Sequence, residues 1–118
     1  MTDHRKKLNK TAHPDTHYRA LDLIHKQPDI TQRQLAQQTG ISLGSMHYCL
    51  KALVAKGWVK AGKFTHNPDK SVYLYLLTPE GILQKSKLAI DFLGRKRTEY
   101  HRMQQDIAQL TKELDDEH

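Results

Sequence analysis

The sequence predicts an α+β fold that is mainly α-helical, with three short helices, a β-hairpin and one long C-terminal helix. Gly40 and Gly57 each follow a helical pattern at the position where helices end in a left-handed backbone. Two segments rich in aromatic and β-branched residues, 58–61 and 72–77, are typical of strands. A helical pattern then continues over residues 78–114.

Length and composition place the chain among small globular proteins. Its 118 residues fit one small domain, and 37% of them are hydrophobic. The single cysteine, Cys49, excludes an internal disulfide and fits a reducing cytoplasm. The longest apolar run, residues 72–77, is too short to cross a membrane, and no apolar signal-peptide segment follows the basic residues near the N-terminus. We therefore expect a cytoplasmic protein without a membrane partner.

Charge is distributed unevenly along the chain, whose net charge is +6. Residues 30–68 contain no Asp or Glu but carry five cations: Arg33, Lys51, Lys56, Lys60 and Lys63. A segment without carboxylates does not repel phosphates, so this part of the chain favours a polyanion as its partner. Acidic residues gather instead at the C-terminal end, at Glu113, Asp115, Asp116 and Glu117.

Capping signals define the first two helices. Asp15 is a possible N-cap of the first helix, in which Tyr18, Leu21 and Ile24 recur at helical spacing. Thr31 and Gln34 form a capping-box pattern at the start of the second helix, which ends at Gly40. The second helix should bury Leu35 and Ala36.

The third helix is predicted to have a core side and a slim outward side. Ser42 is its expected N-cap, and Gly57 follows its end. On a helical wheel the apolar residues fall within about 100° of arc. These core residues are Met46, Cys49, Leu50 and Leu53, whereas the outward side consists of Gly44, His47, Tyr48, Lys51 and Ala55.

The two strands and the long helix complete the pattern. The segment between the strands contains Asn67, Pro68 and Asp69, which favour a turn, so the strands form a hairpin with an extended tip. Thr78 is the expected N-cap of the long helix, with Pro79 at its first position. Gly94 is a weak point at which this helix could bend or break.

Together these elements follow the order of a winged helix-turn-helix, with the hairpin as the wing. We divide the chain into a flexible basic arm (1–14), a DNA-binding domain (15–78) and a long C-terminal helix for dimerisation (79–118). The second and third helices form the helix-turn-helix. Its outward face is small, aromatic and basic, as entry into the major groove requires.

Several segments resemble MarR-type winged-helix repressors, and specifically their small branch associated with exopolysaccharide (EPS) gene clusters. They are residues 42–53 (SLGSMHYCLKAL), 56–60 (KGWVK) and 73–81 (YLYLLTPEG), extended by 92–96 and 99–100. The resemblance covers roughly residues 15–114. It implies a bacterial, cytoplasmic, homodimeric DNA-binding transcriptional regulator of exopolysaccharide-related genes.

The candidate DNA contacts lie on the helix-turn-helix and the wing. MarR-type wings carry an Asp-x-Arg motif, whose matching positions here are Asp69 and Ser71, so wing contact would fall to the neighbouring lysines. The full set of candidates is Arg33, Ser42, Leu43, Gly44, Ser45, His47, Tyr48, Lys51, Lys63 and Lys70.

The C-terminal helix carries a second apolar pattern. Residues at alternating spacings of three and four occupy the a and d positions of heptads, which predicts pairing with a second copy. The candidate dimerisation residues are Leu93, Tyr100, Met103, Ile107, Leu110 and Leu114. Four other apolar residues are expected to pack on the winged-helix body: Leu83, Leu88, Ile90 and Phe92.

No pattern in the sequence predicts catalysis. There is no phosphate-binding glycine loop, nucleophile elbow or pair of catalytic carboxylates, and the eight histidines lack the clustering of a metal site. We expect a non-enzyme with no cofactor and a buried structural Cys49, and the sequence does not tell whether a small-molecule effector binds. An alternative function is a winged-helix protein-interaction adaptor in the transcription machinery.

Overall fold

The computed structural model describes residues 14–62 and 74–117. Within these residues there are four helices and one two-stranded antiparallel sheet. In chain order the elements are α1 (Pro14–Lys26), α2 (Gln32–Thr39), α3 (Leu43–Ala55), β1 (Val59–Gly62), β2 (Leu74–Leu77) and α4 (Pro79–Asp116). The strands pair in the register Val59 with Leu77 through Gly62 with Leu74. The predicted fold class is confirmed, including the long C-terminal helix.

The caps that the sequence indicates are present around the helix-turn-helix. The Thr31 hydroxyl accepts a hydrogen bond from the Gln34 amide, and Gln34 Oε1 accepts one from the Thr31 amide at 2.9 Å. Gly40 ends α2 with a φ of +72°, a conformation that costs a glycine little. Ser42 caps α3 by accepting from the Ser45 amide.

Two predicted boundaries are wrong. Helix α1 begins at Pro14, so Asp15 lies in the first turn and not at the N-cap. There its carboxylate pairs with Arg95 of α4, 2.7 Å from Nε. Strand β1 begins one residue later than predicted because Trp58 still belongs to the turn that ends α3, where its amide donates to the Leu53 carbonyl.

A single apolar cluster joins the three short helices to the hairpin. All four residues predicted for the core side of α3 are buried in it, which confirms the helical-wheel assignment. Burying Met46, Leu50 or Leu53 contributes roughly 1.5–3 kcal/mol each. The cluster consists of Ala20, Leu21, Ile24, Ile30, Leu35, Ala36, Met46, Cys49, Leu50, Leu53, Val59 and Tyr75.

The first half of α4 packs along α1. The ring of Phe92 stacks on that of Tyr18 with centroids 4.8 Å apart, and Leu88 packs against the core. The prediction that Leu83 and Ile90 also pack on the body is wrong, since they are 50% and 73% exposed. At about 100° per residue they lie on the opposite side of the helix from Leu88 and Phe92.

The second half of α4 extends beyond the body. The helix continues through Gly94 without a break, and its 38 residues give it a length of about 57 Å. Every residue over 97–117 is exposed, and the described chain measures 67 Å along its longest axis. In the described ranges no helix combines the length and the apolar character that a membrane span requires.

The start of α4 is joined closely to the end of α3. The Thr78 hydroxyl donates to the Gly57 carbonyl at 2.6 Å and accepts from the Gly81 amide at 3.0 Å, which makes Thr78 the predicted N-cap. The Thr78 amide donates to the Trp58 carbonyl at 3.0 Å. A Cβ at Gly81 would lie 2.0 Å from that same carbonyl oxygen. Only glycine permits this approach of the two backbones.

We expect Gly81→Ala to lower the free energy of unfolding by about 3 kcal/mol, because its methyl group would displace the Trp58 backbone. Gly94→Ala is the matched control, since a Cβ there meets nothing within 4 Å. Gly94→Ala should raise the free energy of unfolding by about 1 kcal/mol, because alanine favours the helical conformation more than glycine does. Urea denaturation followed by Trp58 fluorescence measures both. Equal midpoints for the two variants would contradict the proposed role of Gly81.

Candidate nucleic-acid interface

A short turn sets the orientation of α3 against α2. The chain reverses at Gly40, and the Ile41 amide donates to the Ala36 carbonyl at 3.1 Å. Ser42 then begins the next helix with its hydroxyl 2.9 Å from that of Ser45. The buried side chains of α3 fill the core, so its opposite side and its N-terminus are left at the surface.

The outward side of α3 forms one continuous surface, which we name the reading face: Leu43, Gly44, His47, Tyr48 and Lys51. All five residues are exposed, with Leu43 at 44% and Tyr48 at 51%. No side chain lies within 4 Å of a Cβ placed on Gly44, so the helix surface is open there. The arrangement brings five of the six predicted α3 candidates together on one exposed surface.

The remaining described candidates border this face. Ser42 is exposed at the N-cap, and Ser45 is half-buried beneath it. Arg33, exposed on α2, lines an open cleft of about 430 Å³ together with Ser42 and Leu43. The structure thus places Arg33 beside the start of the reading face. Lys63 and Lys70, the predicted wing contacts, lie outside the described residues.

The electrostatics of this region favour an anionic partner. Neither α2 nor α3 has an acidic residue in its first turn, and residues 30–62 contain no carboxylate. A helix N-terminus carries a partial positive charge from its unpaired amides, and here Ser42 leaves part of that end open. Lys51 adds a formal positive charge on the reading face itself.

Sequence reasoning did not find Gln32, which contacts the reading face from α2. Its Oε1 lies 3.4 Å from Nδ1 of His47. Both residues also line a cleft of about 420 Å³ beside α3, with Lys51, Ala61 and Tyr75. Gln32 is one of four glutamines around α2, and nothing in their spacing distinguishes the one that reaches His47.

Six exposed residues form the tail seam on α4: Leu93, Tyr100, Met103, Ile107, Leu110 and Leu114. Their exposures lie between 49% and 60%, so the stripe is uniformly uncovered in a single chain. On a straight helix the line of tail-seam residues rotates about the helix axis by about 20° per heptad. A slight left-handed supercoil would keep the line facing a partner helix.

The one thiol of the region is buried and unreactive. Cys49 is fully buried, and burial raises the pKa of its thiol to about 11 against a smaller opposing effect of the Lys56 charge. It therefore stays protonated at neutral pH and is a poor nucleophile. Among residues 14–62 and 74–117, no three His, Cys, Asp or Glu side chains are grouped as metal ligands.

Comparisons with known proteins agree with the geometry. Residues 14–60 match the family model described as winged helix-turn-helix DNA-binding. No curated protein sequence gives a significant match. The fold resembles those of many solved structures, and the three described next are each at most 24% identical to this chain.

The first is the PcaV transcriptional regulator from Streptomyces coelicolor in complex with its natural ligand: TM-score 0.62, 18% identity, covering 75% of this chain and 60% of PcaV. The second is Streptococcus pneumoniae FabT in complex with DNA: TM-score 0.54, 24% identity, covering 86% of this chain and 76% of FabT. The third is MarR: TM-score 0.50, 24% identity, covering 80% of this chain and 76% of MarR. The chain thus spans less than two thirds of the length of PcaV, and the likeness is one of fold.

The raised pKa of Cys49 predicts a pH dependence of stability. The protonated thiol stabilises the fold fully below its unfolded-state pKa of 9.0, and this contribution is lost as the pH rises towards about 11. At about 1.4 kcal/mol per pKa unit, the loss should approach 3 kcal/mol. Urea denaturation between pH 8 and 11 measures it against Cys49→Ala, which lacks this titration. Parallel pH profiles of the two proteins would contradict the assignment.

Proposed function

We propose that this protein is a MarR-like transcriptional regulator that binds double-stranded DNA sequence-specifically through the reading face of α3. The observation that carries the proposal is an exposed, slim helix face in a segment without carboxylates. The major groove of B-DNA is about 12 Å wide and admits one α-helix. The winged helix-turn-helix match over residues 14–60, and a similar fold seen on DNA in FabT, support the same function.

The side chains divide by chemistry into base contacts and phosphate contacts. Ser45 and Tyr48 have hydroxyl groups near the start of the helix, where recognition helices approach base edges. The exposed Leu43 suits the methyl group of thymine. Lys51 lies further along the helix and suits a phosphate, which positions the protein without specifying a sequence.

The helix N-terminus and the wing complete the proposed contacts. Arg33 and Ser42 line one cleft beside the first turn of α3, where a phosphate would meet both the guanidinium and the helix end. Lys63 and Lys70 are the proposed wing contacts to the flanking backbone. Gly44 allows the duplex to approach the helix closely, because nothing fills the space above it.

We propose a second copy of this chain as the partner of the tail seam. About two heptads are too few for a stable isolated coiled coil, but they suffice where the first half of α4 adds contacts. A two-fold pair presents two reading faces, so the operator would be a pseudo-palindrome with half-sites about 34 Å apart. In the division predicted from the sequence, 1–14 form a basic arm whose last residue, Pro14, already begins α1, while 15–78 read DNA and 79–118 pair the chains.

The target genes follow from the family resemblance of residues 42–53 and 73–81. We propose exopolysaccharide-related genes as targets, which genome-wide mapping of bound sites in the source bacterium would test. Enrichment of promoters next to exopolysaccharide genes is the expected result. Enrichment confined to unrelated promoters would contradict this part of the proposal alone.

Lys51→Ala should weaken binding to all duplexes similarly and reduce the slope of log affinity against log salt by about 1, because one phosphate contact is lost. Lys112→Ala, an equal change of charge on the exposed tail, is the control and should leave both unchanged. Fluorescence anisotropy with labelled duplexes between 50 and 200 mM salt measures both.

Tyr48→Ala and Ser45→Ala should instead change which duplex is preferred, by about tenfold, since base contacts carry sequence information. If duplex affinity were insensitive to salt and to all three substitutions, the DNA-binding proposal would fail. We would then propose instead that the reading face binds another protein, as a winged-helix adaptor in the transcription machinery would.

Charged substitutions test the tail seam in the full-length chain. Replacing Ile107 and Leu110 together by lysine should convert the dimer to a monomer, because four like charges would meet at the seam. Gln105→Lys with Ala108→Lys introduces the same charges about 160° away around the helix and should leave the dimer intact. Light scattering measures the mass. A dimer that survives the seam substitutions would show that pairing uses another surface.

A further inference from the structure

A side-chain contact across the helix-turn-helix holds one residue of the reading face. Gln32 is the first residue of α2, and its Oε1 lies 3.4 Å from Nδ1 of His47 on α3. Gln32 is half-buried, whereas His47 is exposed. The contact therefore restrains an otherwise free surface imidazole from the side of the protein body.

With Oε1 of Gln32 as the partner, the contact favours one of the two neutral forms of the imidazole. A neutral imidazole has one N–H donor and one acceptor nitrogen. A carbonyl oxygen such as Oε1 of Gln32 can only accept, so the hydrogen bond requires the proton on Nδ1. Nε2 is then left as an acceptor, and the two ring nitrogens point in different directions. With Nδ1 turned towards α2, Nε2 is turned away from it.

An acceptor at this position distinguishes among bases. In the major groove adenine N6 and cytosine N4 are hydrogen-bond donors, whereas guanine and thymine offer acceptors at O6 and O4. His47 lies in the second turn of α3, within the N-terminal part of the helix that contacts bases in helix-turn-helix proteins. An acceptor nitrogen there favours an exocyclic amino group.

We propose that Gln32 is a positioning residue that holds His47 in its Nδ1–H tautomer, so that Nε2 accepts a hydrogen bond from adenine or cytosine. This inference rests on the proposed function and names the base class that one residue of that site would select. The nearest cation along α3 is Lys51, which lines the same cleft but offers no acceptor. No carboxylate occurs in residues 30–62 to compete for the Nδ1 proton.

The tautomer can be measured without DNA. Imidazole ¹⁵N chemical shifts of His47 at pH 8, assigned by comparison with His47→Ala, should report the Nδ1–H form in the wild-type protein. Gln32→Glu retains an acceptor oxygen and should retain this form, whereas Gln32→Leu should lose it. Gln38→Leu is the matched control, because Gln38 lies on the same helix and bonds Gln27 instead. A wild-type His47 protonated on Nε2 would overturn the proposal.

The base preference is read from a randomised duplex library bound at pH 8. The wild-type protein should favour adenine or cytosine over guanine or thymine at one position, by about three- to tenfold for one hydrogen bond. The variants His47→Ala and Gln32→Leu should both lose that preference, and the double variant should lose no more than either alone. Gln32→Glu and Gln38→Leu should keep it.

The outcomes separate this inference from the proposed function. If the wild-type protein binds no duplex specifically, the proposed function fails, whatever tautomer the ¹⁵N shifts report. If it binds specifically but Gln32→Leu keeps the full preference at the His47-dependent position, Gln32 does not position His47. Thermal unfolding of each variant confirms folding, and Gln32→Leu should unfold near the wild-type temperature because Gln32 lies outside the core.

Discussion

The close approach of the Gly81 backbone to the Trp58 carbonyl determines how helix α4 is oriented relative to helix α3. Trp58 ends the turn after α3, and Gly81 lies in the first turn of α4. The Thr78 hydroxyl links the two segments, because it donates a hydrogen bond to the Gly57 carbonyl and accepts one from the Gly81 amide. The direction of the long helix is therefore fixed by the same few atoms that end the helix of the reading face. Any surface on α4 has a defined position relative to the outward side of α3.

Helix α3 supplies both the centre of the core and the candidate interface. Four of its residues are buried, whereas His47, Tyr48 and Lys51 between them are exposed, as a period of 3.6 requires. A reading face built this way is rigid, because its backbone is held by Met46, Cys49 and Leu53 below it. The absence of carboxylates from residues 30–62 then affects the outward side alone, since the inward side is apolar.

Local signals in the sequence predicted most of this structure, and long-range contacts account for the rest. The capping box at Thr31 and the cap at Ser42 depend on residues three apart, so a sequence pattern reveals them. The pairing of Asp15 with Arg95 has no local signal, because the two residues are 80 positions apart in the chain. Whether Leu83 and Ile90 are buried depends on which side of α4 packs against α1. Apolar residues occur on both sides of this helix, so the sequence pattern alone does not identify the packed side. The reading face was predictable for the same periodic reason as the core, whereas Gln32 belongs to a contact between two helices.

The uncovered second half of α4 has a consequence for how the protein would respond to its own abundance. Its 21 exposed residues make no packing contact with the rest of a single chain and are held only as a continuation of the half of α4 that packs on α1. Under the proposed pairing, a second copy supplies the apolar contacts that this segment lacks in a single chain. At low abundance the number of pairs then rises with the square of the number of chains. Doubling expression would raise operator occupancy about fourfold in that regime, so gene dosage itself becomes a regulatory input.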